Sequence, residues 1–263
     1  MKHQPRKRFG QNFLTDQSAI TLIVAAINPA PGDCLVEIGP GLGALTRPLL
    51  AAAGKLHAIE IDRDLAYALQ QEFGARLDLH TTDVLEFDFG ALGDRLRVIG
   101  NLPYNISTPL LFHLADCAEL IFDIHVMLQK EVVERMVAAP GDSNYGRLSV
   151  MLQYRFEMEQ LLDVPAAAFD PVPKVDSAVI RLMPLRPQRW KARDDMQLRR
   201  VVAAAFSQRR KTLRNSLRKL ISEPVFDALA ISPTARAQEL SVAQFVALAD
   251  YLANGADPAA VAT

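Results

Sequence analysis

The stretch "CLVEIGPGLGALTRPLL", residues 34–50, gives the strongest indication of the fold. A short apolar run, "CLVEI", leads into a turn with glycines at 39, 41 and 43, and a helical pattern follows. Glycine permits a sharp turn between a strand and a helix, and it lets a ligand come close to the backbone. The stretch therefore predicts a strand, a ligand-binding turn and a helix in succession.

The same alternation continues to about residue 128. Strand-like runs ("LHAIEI", "LDLHT", "LRVIG" and "FDIHVML") alternate with helical patterns such as "DLAYALQQEF" and "STPLLFHLADC". Strands separated by helices indicate a mostly parallel, doubly wound α/β sheet of the Rossmann-like type. Ligands bind such sheets outside the carboxyl ends of the strands.

The pattern changes after this region. "RLSVMLQYRF" is predicted to be a helix, "MEQLLDV" and "SAVIRLMPL" to be two closing strands, and the chain beyond Pro187 to be helical. In the helix expected there, Leu213, Leu217 and Leu220 form an apolar stripe. We expect a ligand-binding domain over residues 1–185 and a small, all-helical domain over residues 186–263.

Charge is distributed unevenly along the chain. The 263 residues carry a net charge of only −1, yet twelve Lys or Arg and two acids lie between Arg186 and Lys219. The first eight residues add four cations and no acid. Such basic blocks favour an anionic partner, although a solvated helix surface would have the same composition.

Several classes of protein are disfavoured. The two cysteines, Cys34 and Cys117, are far apart in apolar surroundings and are expected to be reduced, as in a cytoplasmic protein. No apolar run approaches the length of a membrane span, and Asp16 or Ser18 is better placed to cap a helix than to precede a signal sequence. The five histidines show no pair at metal-ligand spacing, so no metal site is expected.

The glycine turn by itself leaves two cofactors open. Gly39, Gly41 and Ala44 match a dinucleotide fingerprint, and Glu60 lies about twenty residues further on, at the end of the second strand. A carboxylate at that place binds ribose hydroxyls of either NAD or S-adenosylmethionine. Asp83, at the end of the third strand, could accept from an adenine amino group, which favours S-adenosylmethionine, although it could also cap a turn. Glu37 completes a set of carboxylates at successive strand ends.

The segment "NLPYNIS", residues 101–107, follows the fourth strand. Asn101 and Leu102 offer a side-chain and a backbone carbonyl, Pro103 restricts the backbone, and Tyr104 offers a flat ring. These groups suit methyl transfer from a sulfonium to the exocyclic amine of adenine, since acceptors can hold its N–H groups while the ring stacks on the extracted base. A plain turn, with Asn101 capping the next helix, is the alternative.

The motifs together resemble one family. "KRFGQNFL" (7–14), "EIGPGLGALT" (37–46), "EIDRDL" (60–65), "NLPYNIS", "FDPVPKVDSAV" (169–179) and "RRKTLRNSL" (209–217) occur in its order along the whole chain. The chain is similar to the KsgA-type ribosomal RNA small-subunit adenine dimethyltransferases. The resemblance implies that two adjacent adenosines in a hairpin near the 3′ end of small-subunit RNA each receive two methyls, within a partly assembled subunit.

The resemblance also implies roles for particular residues. It places Asn101 and Tyr104 at the target adenine and makes Phe169 the second stacking ring. S-adenosylmethionine contacts are implied at Asn12, Leu14, Gly39, Glu60, Asp83 and Asn101, beside Gly41 of the same turn. Phosphate contacts are expected from the cations Arg6, Lys7, Arg8, Arg209, Arg210, Lys211, Arg214 and Arg218.

Three rival functions stay open. One is a dinucleotide-dependent oxidoreductase, in which the segment "NLPY" would have no function. A subunit-assembly or transcription factor could keep the fold without catalysis. A resistance-type methyltransferase would act on large-subunit RNA. We expect a monomer that takes part in small-subunit biogenesis, with no membrane and no metal partner.

Overall fold

A seven-stranded sheet forms the centre of the fold in the computed structural model, which describes residues 11–208 and 210–254. Two further short strands, β1 (Phe13–Leu14) and β8 (Phe169–Asp170), pair with each other in a separate antiparallel sheet. The strands of the large sheet are β2 (Leu35–Ile38), β3 (Leu56–Ile59), β4 (Leu77–His80), β5 (Leu96–Asn101), β6 (Ile121–Gln129), β7 (Phe156–Val164) and β9 (Ser177–Pro184).

The order of the strands creates a binding crevice. Across the large sheet it is β4-β3-β2-β5-β6-β9-β7. The first five strands are parallel, and β9 runs antiparallel to β6. Chain order reverses between β2 and β5, and ligands of doubly wound sheets bind at the carboxyl side of such a reversal. The predicted fold class is confirmed.

Helices connect the successive parallel strands except β4 and β5, whose link contains only the 3-10 turns Val84–Glu86 and Phe89–Leu92. The helices are α1 (Gln17–Ile27), α2 (Thr46–Ala53), α3 (Arg63–Phe73), α4 (Ser107–Asp116), α5 (Lys130–Val137), α6 (Arg147–Gln153), α7 (Asp195–Ala205), α8 (Leu213–Leu217), α9 (Glu223–Ala228) and α10 (Val242–Ala253). None of these described helices is long and apolar enough to cross a bilayer.

The first helix illustrates how local sequence sets the elements. Asp16 is its N-cap, and the carboxylate accepts from the Ala19 N–H at 2.8 Å. Ile20, Ile23 and Ile27 follow at helical spacing and are buried in the core that the helix shares with the sheet. The predicted cap at Asp16 is thus confirmed.

The described chain divides into two compact units. The first comprises residues 11–133 and 157–184, and the second comprises 134–156, 185–208 and 210–254. Residues 134–156, predicted within the first domain, group instead with the helical unit. A polar cluster joins the segments of this unit: Tyr154 Oη donates to Asp195 at 2.7 Å and accepts from the Ala192 N–H at 3.0 Å.

The long basic helix expected around residue 213 is not formed. Helix α8 has five residues, because the backbone on its N-terminal side pairs elsewhere: Thr212 bridges Arg236, and the Leu213 N–H donates to the Ala235 carbonyl at 2.8 Å. Leu213 and Leu217 are buried, as the apolar stripe predicts. Arg210 precedes the helix and Arg218 follows its last residue, so the helical segment here is shorter than the sequence pattern predicts.

Candidate active site

A cavity of about 300 Å³ opens at the carboxyl ends of β2, β3 and β5. It belongs wholly to the first unit. The cavity is lined by every residue predicted to contact the cofactor: Asn12, Leu14, Gly39, Gly41, Glu60, Asp83 and Asn101. It is also lined by Leu102, Pro103 and Tyr104. Topology thus brings together residues from four separate motifs.

The glycine turn forms one wall of the cavity. Gly39 and Gly41 have φ of +65° and +59°, the left-handed region that favours glycine. A Cβ at Gly41 would also lie 3.1 Å from the Phe13 ring. The Gly39 N–H donates to the Ile59 carbonyl at 2.9 Å, which ties the turn to the end of β3. Both the backbone conformation and the space available therefore require glycine at 41.

Glu60 lies at the end of β3 and is 5 % exposed. Its carboxylate accepts from the Gly41 N–H at 3.2 Å and from the Asp62 N–H at 2.9 Å. Burial raises the pKa of Glu60, and these backbone donors oppose the shift by stabilising the charged form. The result is a carboxylate held rigidly beside the glycine turn, as a ribose-binding acid needs to be.

Glu37 is a second buried acid on the cavity wall. It accepts from the Thr46 hydroxyl at 2.7 Å, and burial raises its pKa to about 7. The nearby Glu60 carboxylate pushes in the same direction, whereas the Thr46 hydrogen bond opposes it. Glu37 therefore titrates near neutral pH in the ligand-free protein. Thr46 carries no sequence signal beyond its place at the start of α2.

Asp83 caps a turn and also lines the cavity. Its Oδ1 accepts from the Leu85 N–H at 2.9 Å and caps a short 3-10 turn over Val84–Glu86. The residue also lines the cavity, at the end of the loop that follows β4. Because the cap engages one carboxylate oxygen, the same side chain can cap the turn and face a ligand.

The Asn101 side chain lies at the cavity with its amide orientation set by a contact. Nδ2 donates to the Asn12 carbonyl at 3.0 Å. With the nitrogen used in this way, Oδ1 is the atom left to act as an acceptor. The contact joins Asn101, the last residue of β5, to Asn12 near the start of the chain. No pattern in the sequence predicts this contact.

Tyr104 is half-buried beside Asn101. Its hydroxyl lies 3.0 Å from Ser177 Oγ on β9, within hydrogen-bond distance. Ser177 is fully buried, so the tyrosine ring is held at its far end by a fixed group. In the same segment, the Leu102 N–H donates to the Met127 carbonyl and the Pro103 carbonyl accepts from Ser107, which together restrain the backbone.

Phe169 is placed differently from the other predicted site residues. It is 2 % exposed and lies in the core with Leu14 and Ile20, in register opposite Leu14. Its ring has no open face for a base in this arrangement. The stacking role that the resemblance implies for Phe169 therefore stays a prediction, and it requires the β1–β8 pair to rearrange.

The predicted phosphate-binding cations are only partly described. Arg6, Lys7, Arg8 and Arg209 lie outside the described residues. The remaining four are exposed in the second unit: Arg210, Lys211, Arg214 and Arg218. Arg214 Nη1 lies 3.0 Å from Glu223 Oε1, an exposed pair that water and salt screen strongly.

Gly100 is a functional position that the sequence analysis does not identify. A Cβ there would lie 2.8 Å from the Ile38 carbonyl oxygen and 2.9 Å from Leu102 Cδ2, closer than such atoms approach. The glycine lets β2 and β5 come together directly before the segment 101–107. A glycine in the last positions of an apolar strand was the available signal.

Comparison with known proteins finds relatives that match nearly the whole chain. A sequence model described as ribosomal RNA adenine dimethylase matches residues 2–254. The ribosomal RNA small subunit methyltransferase A of Thiobacillus denitrificans is 60 % identical over 253 residues, covering 96 % of this chain and 99 % of the relative.

Two solved structures are also similar. A dimethyladenosine transferase from Plasmodium falciparum has a TM-score of 0.77 at 26 % identity, covering 90 % of this chain and 95 % of the other. The 23S rRNA methyltransferase ErmE has a TM-score of 0.71 at 26 % identity, covering 92 % and 100 %. The chain belongs to the ribosomal RNA adenine dimethylase family.

Proposed function

We propose that this protein transfers methyl groups from S-adenosylmethionine to the exocyclic amino groups of two adjacent adenosines in a 3′-terminal hairpin of small-subunit ribosomal RNA. The product is N6,N6-dimethyladenosine, formed in the cytoplasm during small-subunit biogenesis. The observation that carries the proposal is the pairing of Asn101 Nδ2 with the Asn12 carbonyl at the cavity, beside Tyr104. The 60 % identity to a small subunit methyltransferase A supports the choice of RNA.

The residues of the cavity fit S-adenosylmethionine. Glu60, held by two backbone N–H groups, can accept from ribose hydroxyls, and Asp83 can accept from the adenine amino group. Gly39 and Gly41 leave the backbone open to close approach. A volume of about 300 Å³ lies within the usual range of small-molecule sites. When bound, S-adenosylmethionine supplies a methyl group activated on a positively charged sulfur.

Two carbonyl oxygens of the protein bind the target amine, and one aromatic ring stacks on the target base. Asn101 Oδ1 and the Leu102 carbonyl accept the two N–H groups of the adenine amine and favour a localised lone pair on the nitrogen. The Tyr104 ring stacks on the base, a contact worth on the order of 1–3 kcal/mol. An amide oxygen is too weak a base to keep a proton, so the proton released by the amine passes to water.

Residues 101–107 carry no formal charge, which suits a reaction that develops positive charge on nitrogen. Orientation is then the main contribution of the protein, because the methyl donor is already reactive. After the first transfer the amine keeps one N–H, and Asn101 Oδ1 alone suffices to hold it. The same site can therefore carry out the second transfer.

Binding of the RNA is assigned to the basic residues of the second unit. Exposed arginines and lysines contact phosphates and position the RNA with little dependence on sequence. Recognition then rests on the shape of the RNA in a partly assembled subunit. We propose that one chain acts alone, as a monomer.

Nucleoside mass spectrometry tests the proposal. Small and large ribosomal subunits that lack the modification are incubated separately with the protein and S-adenosylmethionine. We expect N6,N6-dimethyladenosine in small-subunit RNA only, and none with Asn101→Ala. Modification of the large subunit instead would favour the substrate class of ErmE. Retention of NAD with no methylation of either subunit would favour the dinucleotide-dependent oxidoreductase.

The same variant separates catalysis from an assembly role. If Asn101→Ala supports subunit assembly as well as the wild type while methylating nothing, the two roles are independent. If assembly fails together with methylation, the modification itself is required.

A further inference from the structure

Two histidines and an aspartate that are separate in sequence meet at one edge of the large sheet. His57 lies on β3, and Asp78 and His80 lie on the edge strand β4. His57 pairs in register with Asp78. Two residues further along both strands, Ile59 pairs with His80. Because side chains alternate along a strand, residues 57, 78 and 80 point to the same face.

The ligand atoms of the three side chains are close together. His57 Nδ1 lies 3.1 Å from Asp78 Oδ2, and one such atom from each residue lies within 4.8 Å of the other two. The two imidazole rings are nearly parallel, with 22° between their planes and 5.9 Å between their centroids. Ligand atoms that share one ion at about 2.1 Å lie roughly 3 to 4 Å apart, so small side-chain rotations complete the set.

Two histidine nitrogens of this cluster lack a hydrogen-bond partner among the described residues. His57 Nδ1 and His80 Nε2 are both shielded from solvent and form no hydrogen bond with any described residue. His57 Nδ1 and Asp78 Oδ2 are 3.1 Å apart but form no hydrogen bond, an arrangement compatible with two ligands of one ion. A buried polar atom without a partner costs about 1–3 kcal/mol, and a cation between these groups would remove that cost.

We propose that His57, Asp78 and His80 bind one divalent transition-metal ion, of the Zn²⁺ or Co²⁺ class. Two imidazole nitrogens and one carboxylate oxygen suit these borderline ions, whereas Mg²⁺ and Ca²⁺ prefer oxygen ligands throughout. Asp78 is largely exposed, with 67 % of its side chain accessible, so water completes the coordination. The histidine spacing along the chain predicts no such site, and only strand pairing creates it.

The position of this three-residue site connects it with the cofactor-binding acids. The ion would join β3 to the edge strand β4 just before both strands end. The Glu60 N–H donates to the His80 carbonyl at 3.0 Å, directly beyond the site. Asp83 follows His80 by three residues. An ion here would therefore fix β3 against β4. Glu60 follows β3 and Asp83 follows β4, so the ion would also fix the positions of both acids.

Cobalt titration of the full-length, tag-free protein tests the site. Co²⁺ binding is followed by its visible ligand-field absorption, and Zn²⁺ binding by calorimetry. We expect one ion per chain and no binding of Mg²⁺. His57→Gln, Asp78→Asn and His80→Gln should each weaken binding by at least about 100-fold, since even outer-shell changes cost 10- to 100-fold.

His113→Gln is the matched control. His113 belongs to the same row of rings, but its Nε2 is already 3.1 Å from the Phe87 carbonyl, so this variant should bind the ion as the wild type does. Circular dichroism establishes that every variant is folded. Absence of stoichiometric binding, or binding that persists unchanged in a His57→Gln/His80→Gln double variant, would overturn the proposal.

Discussion

At the scale of single residues, two side chains of the segment 101–107 are held by residues outside that segment. The Asn12 carbonyl fixes the amide of Asn101, and Ser177 fixes the hydroxyl of Tyr104. Neither supporting residue belongs to the segment itself. Prior orientation of acceptor and ring avoids the cost of ordering them when RNA binds.

Tyr104→Ala should lower turnover without weakening cofactor binding. In the proposed mechanism the ring contacts the base and not the cofactor, so we expect kcat to fall roughly 10- to 100-fold, in line with the worth of one stacked base. Kd for S-adenosylmethionine, measured by calorimetry, should stay within about twofold. Tyr104→Phe keeps the ring and is the control, with a smaller loss. Equal losses in kcat and in cofactor affinity would contradict the assignment.

Glu37 should make the stability of the ligand-free protein depend on pH. Its pKa is about 7 in the folded state against 4.5 unfolded, so the folded state binds the proton more tightly. The associated stability is complete below pH 4.5 and is lost as the pH rises through 7, at about 1.4 kcal/mol per pH unit at most. Glu37→Gln should flatten this fall. Urea unfolding at pH 5, 6, 7 and 8 measures it, and an unchanged slope would argue against the raised pKa.

At the scale of elements, the strand ends supply the polar groups of the site. β2, β3 and β5 each deliver one polar side chain to the cavity at or next to their last residue: Glu37, Glu60 and Asn101. Parallel pairing brings these ends to one edge of the sheet. The elements are short, and their close spacing relies on Gly100 between β2 and β5.

Gly100→Ala should destabilise the first unit. The added methyl would lie 2.8 Å from the Ile38 carbonyl, and neither strand backbone can move without disturbing the sheet. We expect a loss of about 1–3 kcal/mol in the free energy of unfolding, measured with urea. Gly146→Ala is the control, because its Cβ would meet nothing nearer than 4.0 Å. Equal effects of the two substitutions would contradict this role for Gly100.

At the scale of the whole molecule, charge is segregated although the net charge is only −1. Acids gather at the cavity of the first unit, whereas exposed cations gather in the second. Such segregation supports the proposal that the acids of the first unit face a cationic cofactor and the cations of the second bind RNA phosphates.

Removing Arg210 and Arg214 should reduce the salt dependence of RNA binding. For each phosphate that the protein no longer neutralises, the slope of log K against log salt should fall by roughly 0.7 to 0.9. Lys55→Ala/Arg76→Ala is the control. These two exposed cations lie just before β3 and β4, at the amino ends of the strands, whereas the cavity lies at the carboxyl ends. Filter binding at several salt concentrations gives the slopes. An unchanged slope in the Arg210/Arg214 variant would remove both residues from the interface.

The amino-acid sequence alone was enough to predict the alternation of strands and helices up to about residue 128, the mostly parallel sheet, and the strand ends that line the cavity. These features are local, because hydrophobic periodicity and glycine turns act over a few residues. Parallel strands then bring their carboxyl ends together by rule, so Glu60, Asp83 and Asn101 could be placed at one cavity from their order along the chain.

Features that depend on contacts between distant segments emerged only from the folded molecule. The Asn12–Asn101 bond, the burial of Phe169 and the grouping of residues 134–156 with the helical unit belong to this class. So does the meeting of His57 with Asp78 and His80 across two strands. The physical reason is that burial and pairing across the sheet depend on which surfaces meet, and no short-range pattern in the chain encodes that.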